Sequence, residues 1–245
     1  EGAGGLRGAA RRRGGGMTRA SFDSDVYPYE RVQPGFNRLR GSEKIPYQIV
    51  RYLLDLPDAE GYFPRDDNGR ARVRLAKYLW YDGARPLANA LPTPEEKLSM
   101  LFDGDEPVVD SEEMRRRHPK GYRIYPQRVW GQSDTEAGTT LKCYLGRSIA
   151  RDNFHTIFSI VFEILVNVNL ENTTRTDAYS RAYDIEQCLV EALHGVNITG
   201  VGVVDFSRMA HADDGSESIF TYGTLVGRRV KMSVEWMDSE MDAPM

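Results

Sequence analysis

The sequence lacks the features that define several common protein classes. Its only two cysteines, Cys143 and Cys188, are too few for a disulfide framework or a cysteine-based zinc site. No run of eighteen apolar residues occurs, and the densest apolar stretch, residues 156–168, is too short to cross a bilayer. The formal net charge of −4 lacks the basic excess of general nucleic-acid binders. We therefore expect neither a membrane partner nor sequence-specific DNA binding.

Motifs of common enzyme families are missing as well. There is no Gly-x-Ser-x-Gly elbow, no phosphate-binding Gly-Lys-Ser/Thr loop and no His-Glu-x-x-His sequence. The segment Gly200-Val201-Gly202 precedes a predicted strand rather than a helix, so it is not a dinucleotide fingerprint. The four histidines are scattered without metal-ligand spacing. We expect no enzyme activity, no cofactor and no metal.

One catalytic alternative stays open. Glu163, Asp205 and Lys231 fall on neighbouring predicted strands. Two carboxylates and a lysine that converged there would suit a metal-dependent nuclease. Three charged residues on adjacent strands are also common by chance, so this hypothesis stays second to a structural role.

The 245 residues, 40% of them hydrophobic, suit one large domain or two small ones. Residues 1–20 carry a local charge of +4 and almost no apolar side chains, which predicts a flexible basic arm. Its arginines Arg11, Arg12 and Arg13 could dock on an acidic partner or on phosphates, or the arm could be a tail of little consequence. The remaining residues 21–245 carry −8. We expect a helical or extended region over 21–120, a core over 121–238 and a short tail over 239–245.

The first half contains helix signals. Apolar spacing predicts helices over 46–56 and 71–80, with a turn at 66–69 between them. Thr93-Pro94 is a strong helix start, and Leu98, Leu101 and Phe102 should form the buried side of that helix as far as Gly104. The acidic stretch 103–113 is expected to be a solvated connector, with a metal site as the alternative.

The second half contains strand signals. Residues 122–130 and 139–149 should form a hairpin. The strongest strand spans 155–169, where every even position from 158 to 168 is apolar and predicts a core face. Its odd positions Ile157, Val161 and Leu165 make the opposite face half apolar, which on an exposed sheet indicates a protein partner.

A helix over 177–193 follows, with Thr174 or Thr176 as its cap and Gly195 at its end. One apolar stripe predicts its buried face: Ala178, Ala182, Ile185, Leu189 and Ala192. Strands over 201–209 and 224–236 complete the pattern. Arg228 interrupts the apolar face of the last one, and we expect it to bond at the rim. The order β–β–β–α–β–β predicts an α+β fold: a mostly antiparallel sheet with a long helix packed on one face, plus an N-terminal helical region.

The segment 122–238 resembles the tail terminator (tail completion) proteins of the tailed-bacteriophage neck. Four short runs in their order carry the resemblance: TIFSIVFEILV from Thr156, RTDAYSRAYDI from Arg175, ITGVG from Ile198 and GRRV from Gly227. The resemblance covers about half of the chain, and residues 42–110 show no match to that family.

The resemblance implies a ring, usually a hexamer, that caps the tail tube in the virion neck and joins it to head-completion or portal-side connectors. DNA would pass through its lumen, and assembly would take place in the host cytoplasm. A head-to-tail adaptor or another connector ring is the alternative neck position, and a soluble adaptor or chaperone acting off the particle is a further one. The expected interface comprises Ile157, Val161, Leu165, Arg175, Arg228 and Arg229.

Overall fold

Helices cover one face of a curved β-sheet. The computed structural model describes residues 41–56, 64, 66–83, 85–102, 112–127, 138–151, 155–171, 180–206, 215–220 and 224–237. The described helices are α1 (Ile45–Leu54), α2 (Asp67–Trp80), α3 (Pro94–Ser99), α4 (Glu112–Arg117), α5 (Val168–Glu171) and α6 (Arg181–Leu193), with 3-10 turns at Ser42–Lys44 and Pro86–Ala88.

The described strands form one seven-stranded sheet. They are β1 (Ile124–Tyr125), β2 (Thr139–Ala150), β3 (His155–Asn167), β4 (Val196–Ile198), β5 (Gly202–Asp205), β6 (Gly215–Phe220) and β7 (Leu225–Met237). The order is β1-β2-β3-β7-β5-β4, and β6 also pairs with β7 beside β5. All described pairings are antiparallel except that of β1 with β2. The predicted α+β class is confirmed.

The core lies between the helices and the even-numbered face of the sheet. The even positions of β3 from Phe158 to Val166 and those of β7 from Val230 to Val234 are buried. They belong to one hydrophobic cluster with Ile49 of α1, Leu79 of α2 and Ile185 of α6. The first helices and the sheet therefore share one core, and the expected boundary at 120/121 falls inside a single compact unit, residues 35–245.

Several helix predictions need correction. The predicted turn at 66–69 begins α2 instead, because the Asp66 carboxylate accepts a hydrogen bond from the Gly69 amide at 2.8 Å and caps the helix. Ser180, not Thr174 or Thr176, caps α6. Residues 172–179, where that helix was expected to begin, lie outside the described part. The last two residues of the expected connector, Glu112 and Glu113, begin α4 instead, and residues 103–111 are not described.

Helix α3 buries a different side chain from the one expected. It ends at Ser99 rather than near Gly104, and Leu98 is 62% exposed while Lys97 is 3% exposed. The Lys97 ammonium donates to the Leu56 carbonyl oxygen at 2.9 Å, which satisfies the buried cation. Leu101 and Phe102 are buried as predicted.

The strands of the structure differ from the predicted ones in their pairing and in their number. Strand β1 pairs with β2 in parallel, so the expected hairpin of 122–130 with 139–149 is wrong for these residues. Residue Val168 leaves the sheet for α5 and is exposed. Two strands, β4 and β6, were not predicted. Both are short, and polar Asn197, Ser216 and Glu217 break their apolar pattern.

Candidate functional site

The two faces of the sheet hold different groups. The even face carries the core, whereas the far face, defined as the odd-numbered positions of β3 and β7, carries Glu163, Arg229 and Lys231 among smaller residues. Because successive strand residues point to opposite sides, the adjacent arginines Arg228 and Arg229 serve different faces.

Arg228 lies on the helix-covered face and is closed into a cluster. Its Nε donates to Glu186 Oε2 at 2.5 Å, and its terminal nitrogens donate to the hydroxyls of Tyr183, Ser216 and Ser218. The Tyr183 ring lies 4.1 Å from the guanidinium carbon, a cation–π contact. The Glu186 hydrogen bond raises the pKa of Arg228 despite its partial burial.

This cluster confirms that Arg228 bonds beside the apolar face, as predicted. Arg228 is only 9% exposed and its donors are engaged within the chain, so its expected place in an interface stays a prediction. Its physical role is to join β7, β6 and α6. Its serine partners lie on β6 and its glutamate partner lies on α6, and the sequence pattern did not predict contact between these elements and β7.

Arg229 forms a second network on the far face. Its Nη2 donates to Glu163 Oε1 at 2.8 Å and its Nη1 donates to Glu217 Oε1 at 2.9 Å. The Tyr144 hydroxyl donates to the same Glu163 oxygen at 2.7 Å. Burial favours a raised Glu163 pKa, but the bonds from Tyr144 and Arg229 outweigh it and hold that pKa below its ordinary value. The network links β2, β3, β7 and β6 across the sheet.

The predicted interface residues on β3 differ in accessibility. Val161 is 6% exposed and Leu165 is 4% exposed, so the expectation that they lie on an open sheet face is wrong. Neighbouring strands also approach closely here: a Cβ at Gly146 would lie 2.8 Å from the Val161 side chain, and one at Gly227 would lie 2.0 Å from the Ile164 carbonyl oxygen. Ile157, in contrast, stays half-buried. Arg175, Arg11, Arg12 and Arg13 lie outside the described residues.

The proposed nuclease cluster does not converge. Glu163 pairs with Arg229 on β7, whereas Asp205 pairs with Ser233, four positions further along the same strand. At about 3.3 Å per residue the two carboxylates stand roughly 13 Å apart along the sheet. Asp205 instead contacts His194 Nδ1 at 3.1 Å. The described residues contain no group of three His, Cys, Asp or Glu side chains able to hold a metal.

A groove lies along α2 and offers another candidate site. It encloses about 630 Å³ and is lined by Pro64, Asp67, Arg70, Val73, Arg74, Lys77, Leu87 and Glu191. Each of its basic groups already has a bond: Arg70 with Asp67, Arg74 with Glu191, and Lys77 with the Leu87 carbonyl oxygen. The groove therefore presents paired charges rather than a cationic pocket.

Besides the outer side of β4, which ends the sheet, two strand edges lack a partner among the described residues. The first, which we call the β2 edge, comprises residues 148–150, which pair only with β3 because β1 reaches only Leu141 and Lys142. The second, the β6 edge, is the side of residues 215–220 opposite β7. Ile149 is 38% exposed, and Ser216, Glu217 and Ser218 are exposed. Sequence analysis missed the β6 edge, because Ser216, Glu217 and Ser218 leave it without an apolar pattern.

Together these features define an α+β protein with one helix-covered sheet face, a polar network on the other face and open strand edges among the described residues. A family model, YomW, matches residues 73–230, well over half of the chain and both its helical and its sheet regions. The protein belongs to the YomW family, a family of phage origin. No curated protein matches the sequence. Among the described helices none is long and apolar enough to span a membrane.

Proposed function

We propose that this protein is a structural component of the phage virion that forms a ring at the head–tail junction. In this role it caps the tail tube, joins the tube to the head-completion or portal side, and lets DNA pass through its lumen. It is assembled in the host cytoplasm and resides in the neck of the particle. The proposal has no catalytic step.

The open edges on opposite sides of one sheet are the observation that carries the proposal. A ring requires a heterologous contact, in which one surface of a subunit meets a different surface of the next. The β2 edge and the β6 edge lie on opposite sides of the β3–β7 pair, so each copy has two different edges to offer. Phage origin of the family and the α+β architecture support the same role.

Charge supports passage of DNA. Residues 21–245 carry a net charge of −8, which would repel phosphates from a lumen lined by this protein and keep the DNA moving. The basic arm, with Arg11, Arg12 and Arg13, would dock on an acidic neighbour in the neck. Ile157 and Arg175 remain proposed contacts of the assembled ring, and Arg229 would act through its network with Glu217.

A nuclease is the weaker candidate. Glu163 is engaged by Tyr144 and Arg229, and Asp205 lies far along the sheet from it. Nothing in this arrangement favours metal-dependent chemistry. Metal-dependent cleavage of DNA by the purified protein, lost in Glu163→Ala, would revive that candidate.

The proposal is tested in a phage that encodes the protein. Removing the gene should leave full heads and finished tails that do not join, seen by electron microscopy, because the connecting ring is missing. Adding the purified protein to the lysate should restore joined particles, and quantitative mass spectrometry of purified virions should find a fixed copy number. Infectious particles that contain none of the protein would refute a neck role. Binding to purified tail tubes rather than to portals would separate a terminator from a head-side adaptor.

A further inference from the structure

The regular end of β2 is built as a pairing edge. Strand β2 contains a bulge between Leu145 and Ser148, after which residues 148–150 pair with β3 in regular register. The Arg151 amide donates to the His155 carbonyl oxygen at 3.0 Å, so the backbone of residue 151 faces β3. Because backbone groups alternate in direction along a strand, the amides of Ser148 and Ala150 point away from β3, toward the open side.

Monomeric proteins often protect such an edge with a bulge, a charge or a proline. Here the bulge precedes the regular stretch instead of interrupting it. The edge also keeps a β-branched side chain, Ile149, 38% exposed. An exposed, regular and partly apolar edge is a surface that recruits another strand.

The β6 edge is long enough to cover the β2 edge and matches it in direction and side-chain character. Strands β2, β3, β7 and β6 are successively antiparallel, so β2 and β6 run in opposite directions within one chain. Consider a second copy that lies beside the first in the same orientation. The β2 edge of one copy is then antiparallel to the β6 edge of the next. In this pairing Ile149 shares a face with Glu217 and Ile219, and Ser148 shares the opposite face with Ser216 and Ser218.

Charge is complementary as well. The end of β2 carries Arg147 and is followed by Arg151, which pairs with Glu235 at 2.6 Å and keeps a 59% exposed side chain. The β6 edge carries Glu217, which pairs with Arg229 and keeps a 53% exposed side chain. Opposite charges on facing strands favour pairing, whereas two β2 edges would bring like charges together.

We infer that the β2 edge of one copy pairs antiparallel with the β6 edge of the next, so that the sheet continues from subunit to subunit. The occupant of each edge is thus a second copy of this chain. The inference deepens the proposed function and rests on it for the closed ring, since edge pairing by itself generates either a ring or an open filament.

Thiol crosslinking of the full-length protein tests the pairing. Facing residues of antiparallel strands have Cβ atoms about 4.5–5.5 Å apart, within reach of a short bifunctional thiol reagent. Ser148→Cys combined with Ser218→Cys, or with Ser216→Cys, should give a ladder of covalent multimers. Cys143 and Cys188 should not react, because both are buried and burial raises the pKa of each thiol, that of Cys188 to about 12.

Single variants and a distant pair are the controls. Ser148→Cys alone should give no product, and neither should Ser148→Cys with Asn89→Cys, an exposed position outside the sheet. A dimer from Ser148→Cys alone would show symmetric pairing of two β2 edges and would overturn the inference. Failure of both double variants to crosslink at any protein concentration would overturn it too.

A variant that removes one backbone amide tests the same contact through the molar mass of the assembly in solution. Ala150→Pro removes an amide that points outward, so β2–β3 pairing should persist while association weakens at least tenfold, measured by light scattering. Ala150→Val keeps the amide and should assemble like the wild type. Circular dichroism identifies any loss of fold. Rings of unchanged mass in Ala150→Pro would refute edge pairing.

The experiments distinguish failure of the proposed neck role from failure of the proposed edge pairing. Crosslinked multimers absent from virions would refute the neck role and leave the pairing intact. Virions that contain the protein but yield no crosslink from either double variant would refute the pairing alone.

Discussion

Arg228 and Arg229 are neighbours in sequence, yet they belong to two different environments. The guanidinium of Arg228 is held against α6 by Glu186, whose side chain is 14% exposed. That of Arg229, 31% exposed, bridges Glu163 and Glu217 on the far face. The comparison shows that one strand of this sheet anchors the fold on one side and carries a more accessible charge network on the other.

The largest expected effect is on the helix-covered face. Phe162→Ala should lower the free energy of unfolding by about 3–5 kcal/mol, because this fully buried ring leaves a cavity in the core. Ile157→Ala, on the far face and half-buried, should cost about 1 kcal/mol. Urea unfolding followed by circular dichroism measures both. Equal losses in the two variants would mean that both faces are equally packed and would break the comparison.

Replacing either arginine should also lower the free energy of unfolding, with the larger loss again on the helix-covered face. The difference between the two variants should be smaller than that between Phe162→Ala and Ile157→Ala. Arg228→Ala should cost about 3 kcal/mol, because it leaves the Glu186 carboxylate poorly solvated and without its cation. Arg229→Ala should cost about 1 kcal/mol, since Glu163 keeps the Tyr144 hydrogen bond and Glu217 is largely exposed.

The conservative control for this pair is Arg228→Lys. Lysine keeps the charge but cannot reach Glu186, Ser216 and Ser218 with one planar fork, so part of the loss should remain. Chemical denaturation at constant pH gives all three values. Complete rescue by lysine would show that charge alone, without the fork geometry, stabilises the cluster.

The smallest expected effect is a pH dependence from the far face. The folded-state pKa of Glu163 lies below its ordinary value, so its ionised form stabilises the fold above about pH 4.5 and that stability is lost as the pH falls through the folded pKa. Glu163→Gln should cost about 1 kcal/mol at pH 7 and progressively less below pH 4. Unfolding curves from pH 3 to 7 measure the difference. If the difference in unfolding free energy between wild type and Glu163→Gln grew as the pH fell, the hydrogen bonds to ionised Glu163 would be contradicted.

The sequence predicts the core of this fold better than its edges. The even-position pattern of β3 and the stripe of Ile185 and Leu189 on α6 identify buried faces correctly, because burial of apolar area dominates both. Strand β6 escapes prediction because its pairing with β7 is held partly by polar groups, Ser216 and Ser218 on Arg228.

The candidate site was predictable only in part. Arg228 was identified from its break in an apolar face, but its partner Glu186 lies 42 positions away and no local pattern links the two. Val161 and Leu165 were expected on an open face. Their burial is a tertiary property, set by what packs around them in the fold and not by the alternation of the strand.

One buried side chain connects α6 with the end of α2. Arg181, at the start of α6, donates to the carbonyl oxygens of Tyr78, Tyr81 and Gly83 at the end of α2, and it is fully buried. A neutral side chain in place of Arg181 would leave three carbonyl oxygens without this donor inside the packed interface. Arg181 therefore connects α6 to the end of α2, which also lines the groove, so the position of the groove depends on the packing of α6.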